Sequence, residues 1–410
     1  MRQFFLIVSW GLYDLANQFF ALNIVSLYFV RWLTIEKQVP EIFYSIAFSI
    51  STLVVAIITP VLGSVSDILN KRMPFLIFFT LLSVIFTMML GTTGNIVIEL
   101  VFFAIANCGC QAAVVFYNAL LVDVAPKEKI GLVSGFGRML AYSGALVALY
   151  LVKPIVLKSG YQATFFPTGM WFLIFALPSM LFLKDKAKKE NRGLFSLLKK
   201  DRAAGIVKDL KTGLRATYKL PGFSDFLKAS FYGLCVANVI IIFMSAYATN
   251  VFKLNETQII NVVGFSTFFA IAGSLISGYI CDRVGSVRML MAIFFLWEVF
   301  ILLGALVKKP SMYLGIGALA GISLGATWTV ARALAVELTP EEKMGNVFGL
   351  FNLAGYLSAV MGALFWGAML FCFSRFGVLS YRISLFSLSI FLVLGFVYLL
   401  RLVKALPVKA

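Results

Sequence analysis

Few charged residues fall inside the long apolar runs of this chain, and those few mark where chemistry can occur. Asp14 lies about ten residues into the first run, roughly 15 Å along a helix, with Tyr13, Asn17 and Gln18 on the same broad face. A charge near the middle of a membrane span costs about 2.5 to 3.5 kcal/mol on insertion scales. Asp14 therefore needs a role: binding substrate, carrying a coupling proton or cation, or serving as a fixed partner for an arginine or backbone groups. The chain has no His, so a coupling proton would have to ride on a carboxylate. Arg138 shares a helical stripe with Ser134 and Tyr142, and Arg332 lies one turn from Trp328. A guanidinium stays charged and grips a carboxylate through a two-pronged fork. These two residues are candidates either to bind an anionic group or to latch an inner gate against Asp123 and Glu337. Asn107, Gln111 and Asn118 recur at spacings of four and seven, as do Asn238, Ser245 and Thr249. Each set gives one polar face on an apolar helix, read as cavity lining, with hydrogen bonding between helices as the competing reading. Asn352 joins the substrate and coupling candidates.

The same inventory argues against an enzyme. There is no Gly-x-x-x-x-Gly-Lys loop, no His-Glu-x-x-His, and no His for acid-base work. The five Cys fall mostly inside apolar runs, where a small buried hydrophobe is expected, and Cys108-Gly-Cys110 lacks companion ligands. No metal, cofactor or disulfide framework is predicted.

The elements that position these residues follow from composition. The chain of 410 residues is 61% hydrophobic and 13% charged, with mean hydropathy +0.96, far above the apolar share of a soluble domain. A bilayer core needs about 20 apolar residues per helix. Twelve such runs fit: 5–32, 42–66, 73–93, 96–122, 131–155, 164–183, 223–252, 257–281, 288–307, 311–337, 346–374 and 383–404. The predicted fold is an all-α polytopic membrane protein of about twelve helices. The first run is longer than the apolar core of a signal peptide and is read as mature structure. A net charge of +17 would suggest nucleic acid in a soluble protein. Here 23 of the 35 Lys and Arg fall on the N-terminal side of the spans and eight on the opposite side. That bias follows the positive-inside rule. It predicts both termini in the cytoplasm, a lipid bilayer as partner, and no nucleic acid.

The longest polar stretch, 184–222, holds twelve Lys or Arg against four acids. Leu194, Leu197, Leu198, Ile206, Val207, Leu210 and Leu214 recur in it at near-helical spacing, which predicts an amphipathic helix on the inner membrane surface. The organisation is thus an N-terminal six-helix bundle (1–183), a basic linker (184–222) and a C-terminal six-helix bundle (223–410). Around this joint the chain repeats itself. Pro126-Lys-Glu-Lys-Ile-Gly131 matches Pro340-Glu-Glu-Lys-Met-Gly345 at an offset of 214, with Asp123 on Glu337, Gly135 on Gly349 and Tyr142 on Tyr356. At offset 215, Gly63-x-x-x-Asp67 followed by Lys71 and Arg72 answers Gly278-x-x-x-Asp282-Arg283 followed by Gly285 and Arg288. Repeats of six spans each share one topology and relate by an axis along the membrane normal. The glycines of span 5 (Gly131, Gly135, Gly137, Gly144) likewise echo those of span 11 (Gly345, Gly349, Gly355, Gly362). They read first as sites of close helix packing.

The loop after span 2, echoed after span 8, resembles the signature loop of the major facilitator superfamily. The copy at 278–288 is the fuller one; the first has Ile68 where that signature has Arg and Asn70 where it has Gly. Three segments resemble the branch named after the autophagy-related vacuolar effluxer: Gly11-Leu-Tyr-Asp-Leu-Ala-Asn17, Tyr117-Asn-Ala-Leu-Leu-Val-Asp123 through Gly131, and Ala331-Arg-Ala-Leu through Phe348-Gly-Leu-Phe-Asn352. The resemblance implies alternating access, with Asp67 and Asp282 holding the halves closed on the inside. It also places span 9 at the outside of the bundle, so Glu298 is expected to make a structural hydrogen bond or face lipid. It implies transport of a small solute such as an amino acid, bound near the midplane by spans 1, 4, 7 and 10 with Arg138. A lipid flippase and a non-transporting receptor or scaffold are the alternatives. Compact loops favour a prokaryotic cytoplasmic membrane.

Overall fold

The computed structural model describes residues 2–185, 212–307 and 312–405. All regular structure among these residues is helical, as apolar runs in lipid require, because a helix satisfies each backbone polar group within its own segment. The amphipathic helix expected over Leu194–Leu214 falls outside the described residues except at its end, where residues 212–218 are helical.

The first span opens with α1 (Arg2–Gln18). It continues as a π-helical stretch, Phe19–Leu27, a short α turn, Tyr28–Arg31, and a second π stretch, Trp32–Glu36. There follow α2 (Glu41–Leu69), α3 (Met73–Met89), α4 (Ile96–Ala119), α5 (Ile130–Ser159), α6 (Phe165–Phe182), α7 (Phe223–Phe252), α8 (Glu256–Val284), α9 (Ser286–Leu306), α10 (Tyr313–Glu337) and α11 (Met344–Cys372). The last span, α12, runs as Val378–Ser387 and Ser389–Ala405. Among the described residues, eleven helices are long and apolar enough to cross a bilayer, and α3 is an apolar helix of 17 residues. The twelve predicted runs correspond to these elements in order, with the first extended to Glu36 and the third ending at Met89.

Helix ends are set by local chemistry. The Asn95 side chain accepts from Val97 and Ile98 N–H at the start of α4, and Asn255 with Gln258 forms a capping box at the start of α8. At the end of α2, Asn70 takes a left-handed conformation (φ 52°), and at the end of α8 the repeat places Gly285 (φ 90°). The departure of Asn70 from the signature is thereby explained: the position demands positive φ, which glycine adopts freely and asparagine tolerates best among the rest.

Two compact units result. The first comprises Met1–Lys127, Leu140–Thr217 and Pro340–Leu350; the second comprises Glu128–Met139, Tyr218–Thr339 and Phe351–Ala410. In the first, α1 packs on α6, α2 on α4, and α3 on both α4 and α6. In the second, the same pairs recur six helices later: α7 on α12, α8 on α10, and α9 on both α10 and α12. The structural division differs from a cut at the linker by two short segments. The first turns of α5 belong to the second unit and the first turns of α11 to the first. Many large apolar side chains, among them Ile57, Phe78, Phe268 and Val393, are exposed on the helices, as lipid contact requires.

Candidate functional site

The two loop aspartates make matching contacts. In the first unit, Asp67 accepts Gly345 N–H at Oδ1 and Asn346 N–H at Oδ2, both at 2.8 Å. In the second, Asp282 accepts Gly131 N–H at Oδ1 (2.7 Å) and Leu132 N–H at Oδ2 (2.8 Å). Each carboxylate thus caps the first turn of a helix, satisfying two orphan donors and meeting the positive end of the dipole. The backbones come close enough because glycine faces glycine. A Cβ on Gly63 would overlap the Gly345 carbonyl oxygen and one on Gly345 that of Gly63; Gly131 and Gly278 stand in the same reciprocal relation. Ser64 also donates to the Asn346 side chain.

Next to the first cap, Arg72 is almost fully buried and ties three elements together. Its Nη1 meets Asp123 at 2.7 Å and the Ala119 carbonyl at 3.1 Å, and its Nη2 donates to the Glu341 carbonyl at 2.6 Å. Asp185 Oδ1 accepts from Arg72 N–H (2.9 Å) and Met73 N–H (3.2 Å), capping α3. In the second unit the counterpart of Asp123, Glu337, accepts from Ser286 at 2.6 Å. Arg283 stacks on the Tyr279 ring at 4.1 Å and donates to its hydroxyl, while Arg288 and Lys71 lie at the same helix ends.

Arg332 is buried in the second unit. Its Nε donates to Ser134 Oγ (2.9 Å) and its Nη2 to the Ser134 carbonyl (2.5 Å), while Ser134 Oγ donates to the Thr329 carbonyl (2.8 Å). One turn along α5, the Arg138 guanidinium stands 5.2 Å from the centroid of the Trp328 ring.

In the first unit Asp14 is 4% exposed. Beside it, Tyr13 shares a 2.5 Å hydrogen bond with Thr80 and stacks on Tyr117, which also stacks on Trp10. Asn17 is buried, and Cys110 lies 3.8 Å from its Oδ1. Gln18, at the end of α1, borders the π-helical stretch, a feature often found at functional positions.

A family model described as the Major Facilitator Superfamily matches residues 14–256 and 229–410. This chain belongs to the major facilitator superfamily. An uncharacterized protein of Aquifex aeolicus (strain VF5) is 27% identical over 365 residues, 89% of each chain. The "Uncharacterized MFS-type transporter YxiO" of Bacillus subtilis (strain 168) is 24% identical over 380 residues, 87% of this chain and 86% of its own. Among solved structures, the fold resembles that of a bacterial homologue of the iron transporter ferroportin in an outward-facing state. That match has a TM-score of 0.76 and 14% identity, and covers 98% of this chain and 100% of the other.

On this superfamily scaffold the polar stripes foreseen in α4 and α7 divide. Asn107 donates to Ser51 Oγ (2.8 Å) from a fully buried position, and Asn238 to Ser358 Oγ (3.1 Å). Both are hydrogen bonds between helices. Thr249 bonds back to the Ser245 carbonyl on its own helix. Gln111 is half-buried and Asn118 buried in α4, Tyr142 is half-buried in α5, and Asn352 is half-buried in α11. Sequence reasoning did not single out the aromatic stack of Trp10, Tyr13 and Tyr117, the Asp185 cap, or Glu99. Glu99 is buried in the first turn of α4, where it accepts from Gly91 N–H (2.6 Å) and Thr93 N–H (2.9 Å) and orders the turn before α4. An acid at the fourth position of a helix preceded by Asn95 was the available signal.

Proposed function

We propose that this superfamily member is a secondary transporter that moves a small solute by alternating access between its two six-helix repeats. The observation that carries this reading is the matched pair of caps, Asp67 on Gly345 and Asn346, and Asp282 on Gly131 and Leu132. In each, an acid at the end of one repeat's second helix holds the start of a helix from the other repeat. Such a contact is a latch that forms or breaks as a whole, suited to a two-state interface. Charge-assisted hydrogen bonds contribute about 1.5 to 3 kcal/mol each, enough to hold a state and small enough to be reversed in each cycle. Its fold likeness to a protein captured outward-facing supports assigning these contacts to the closed inner side.

The solute is read as an amino acid or another small organic ion held near the midplane by α1, α4, α7 and α10 with Arg138. Asp14 is the candidate for coupling to a proton or cation. The likeness of three segments to the vacuolar effluxer branch supports an amino-acid class. The charge bias of the loops supports cytoplasmic termini, and the compact loops support a prokaryotic cytoplasmic membrane.

The test is counterflow in proteoliposomes, screening amino acids and organic ions with the wild type and with Asp67→Asn, Asp282→Asn and the double variant. At least one solute should exchange in the wild type, with flux lowered about tenfold or more in the double variant. A folded wild-type protein that exchanges none of them would overturn the reading.

A further inference from the structure

Among the buried side-chain polar atoms of the second unit that lack partners, two can act only as hydrogen-bond donors. The first is Arg138 Nε. Among the described residues the Arg138 guanidinium makes no hydrogen bond or ion pair, and it stands over the ring of Trp328. The second is Asn352 Nδ2. Asn352 occupies the position in α11 that Arg138 occupies in α5 under the 214-residue repeat. It follows Phe351, whose ring meets Trp328 edge-on, with centroids 6.3 Å apart and planes at 86°. Phe226 stacks on Phe351 with centroids 5.9 Å apart.

The neighbouring arginine sharpens the contrast. Arg332 gives two of its nitrogens to Ser134, one turn before Arg138 on α5, so that oxygen-bearing residue is already engaged. A guanidinium in a membrane-spanning helix cannot shed its proton. A ring below its plane stabilises the charge but leaves the in-plane N–H groups unmet. Buried donors without acceptors are costly. Two donor-only groups without acceptors, one of them a guanidinium over an aromatic face, match a ligand that brings acceptor oxygens and an apolar body.

We propose that Arg138, over Trp328, and Asn352, next to Phe351 in α11, form the recognition site for an organic anion, with a carboxylate, sulfonate or phosphate on the Arg138 fork and the apolar part of the ligand along Trp328 and Phe351. This rests on reading the chain as a solute carrier and narrows its substrate to anions and to zwitterions held through their acidic end. An Arg138 Nε–Nη edge accepts a planar oxyanion in two parallel hydrogen bonds; a neutral amide of the same shape loses one acceptor and the charge.

The experiment compares 1-naphthoate with 1-naphthamide, its neutral isostere, by calorimetry on the full chain in nanodiscs. The wild type is set beside Arg138→Gln, Arg138→Lys and Asn352→Leu. Wild type should bind the naphthoate at least tenfold more tightly than the amide. Arg138→Gln should abolish that preference, Arg138→Lys should keep part of it, and Asn352→Leu should weaken naphthoate alone. Unliganded Arg138→Gln should melt at or above the wild-type temperature, because the guanidinium it loses leaves no partner behind. Equal binding of naphthoate and naphthamide, a preference that survives Arg138→Gln, or a marked drop in that variant's melting temperature would each overturn the site. Adding phosphatidylglycerol to the nanodisc separates sources of the same chemistry: competition with naphthoate assigns the oxyanion to a lipid headgroup, and its absence assigns it to a soluble anion. Counterflow distinguishes the two levels of the argument. Flux of cations alone leaves the carrier standing and removes the anion site, whereas Arg138-dependent binding without flux of any solute keeps the site and removes the carrier.

Discussion

Asp67 and Asp282 each use both carboxylate oxygens on backbone N–H groups at a helix start. An asparagine there would keep one acceptor and turn an amide donor toward the second N–H. The charge that complements the helix dipole would also be gone. Asp282→Asn should therefore lower stability by about 1.5 to 3 kcal/mol, the range for hydrogen bonds to charged groups, read as a fall in melting temperature of the detergent-purified protein. Asp67→Asn should behave alike, because the geometry is matched. These two acids were legible from the Gly-x-x-x-Asp spacing and its repetition. Arg332 was less so. Its helical position suggested either an anion site or a latch against Asp123 and Glu337, and did not name Ser134 of α5, which its Nε and Nη2 meet. Spacing along one helix reports which face a side chain occupies and is silent on which neighbour that face meets. The same limit applies to Asn107 and Asn238, whose stripes read first as cavity lining and which meet Ser51 and Ser358 on neighbouring helices.

Helix 8 offers an internal comparison at the scale of an element. Gly278 faces the Gly131 carbonyl so closely that any Cβ must overlap it, whereas Gly264 on the same helix has nothing within 4 Å. Gly278→Ala should cost about 1 to 3 kcal/mol through overpacking and impair counterflow. Gly264→Ala should be neutral or stabilising by up to about 1 kcal/mol through helix propensity. Thermal unfolding of the two variants side by side checks both signs. The twelve helices themselves were readable because each is an apolar run bounded by polar breaks. The π-helical stretches of the first span were not. A change from i→i+4 to i→i+5 bonding leaves hydrophobicity high throughout Phe19–Leu27 and alters only which residues share a face. Asp14 and Asn17 precede that change and lie in the regular α-helix of α1. Asn23 lies beyond it, fully buried within the π stretch, and the periodicity of α1 does not carry through to it.

For the molecule as a whole, the bias of Lys and Arg predicts the side on which each loop lies. In a Cys372→Ser background, which removes the exposed native thiol, Lys37→Cys should react with a membrane-impermeant maleimide on intact cells. Lys219→Cys should react only after permeabilisation. The reverse pattern would invert the topology. The internal repeat was visible in the sequence as two matches at offsets of 214 and 215, and the structure answers it with the same set of helix pairs in each unit. The exchange of Glu128–Met139 and Pro340–Leu350 between units was not visible, since it depends on where a capping carboxylate finds its helix.

That exchange bears on how such chains can recombine. A crossover at the basic linker, the natural seam by sequence, would bring a foreign Asp67 loop against a resident Gly345 and a foreign Gly131 against a resident Gly278, with no tolerance for a methyl at either. A hybrid between two relatives should therefore inherit residues 340–350 from the parent of its N-terminal repeat and 128–139 from the parent of its C-terminal repeat, so that lineages of this architecture are constrained as mosaics rather than as halves.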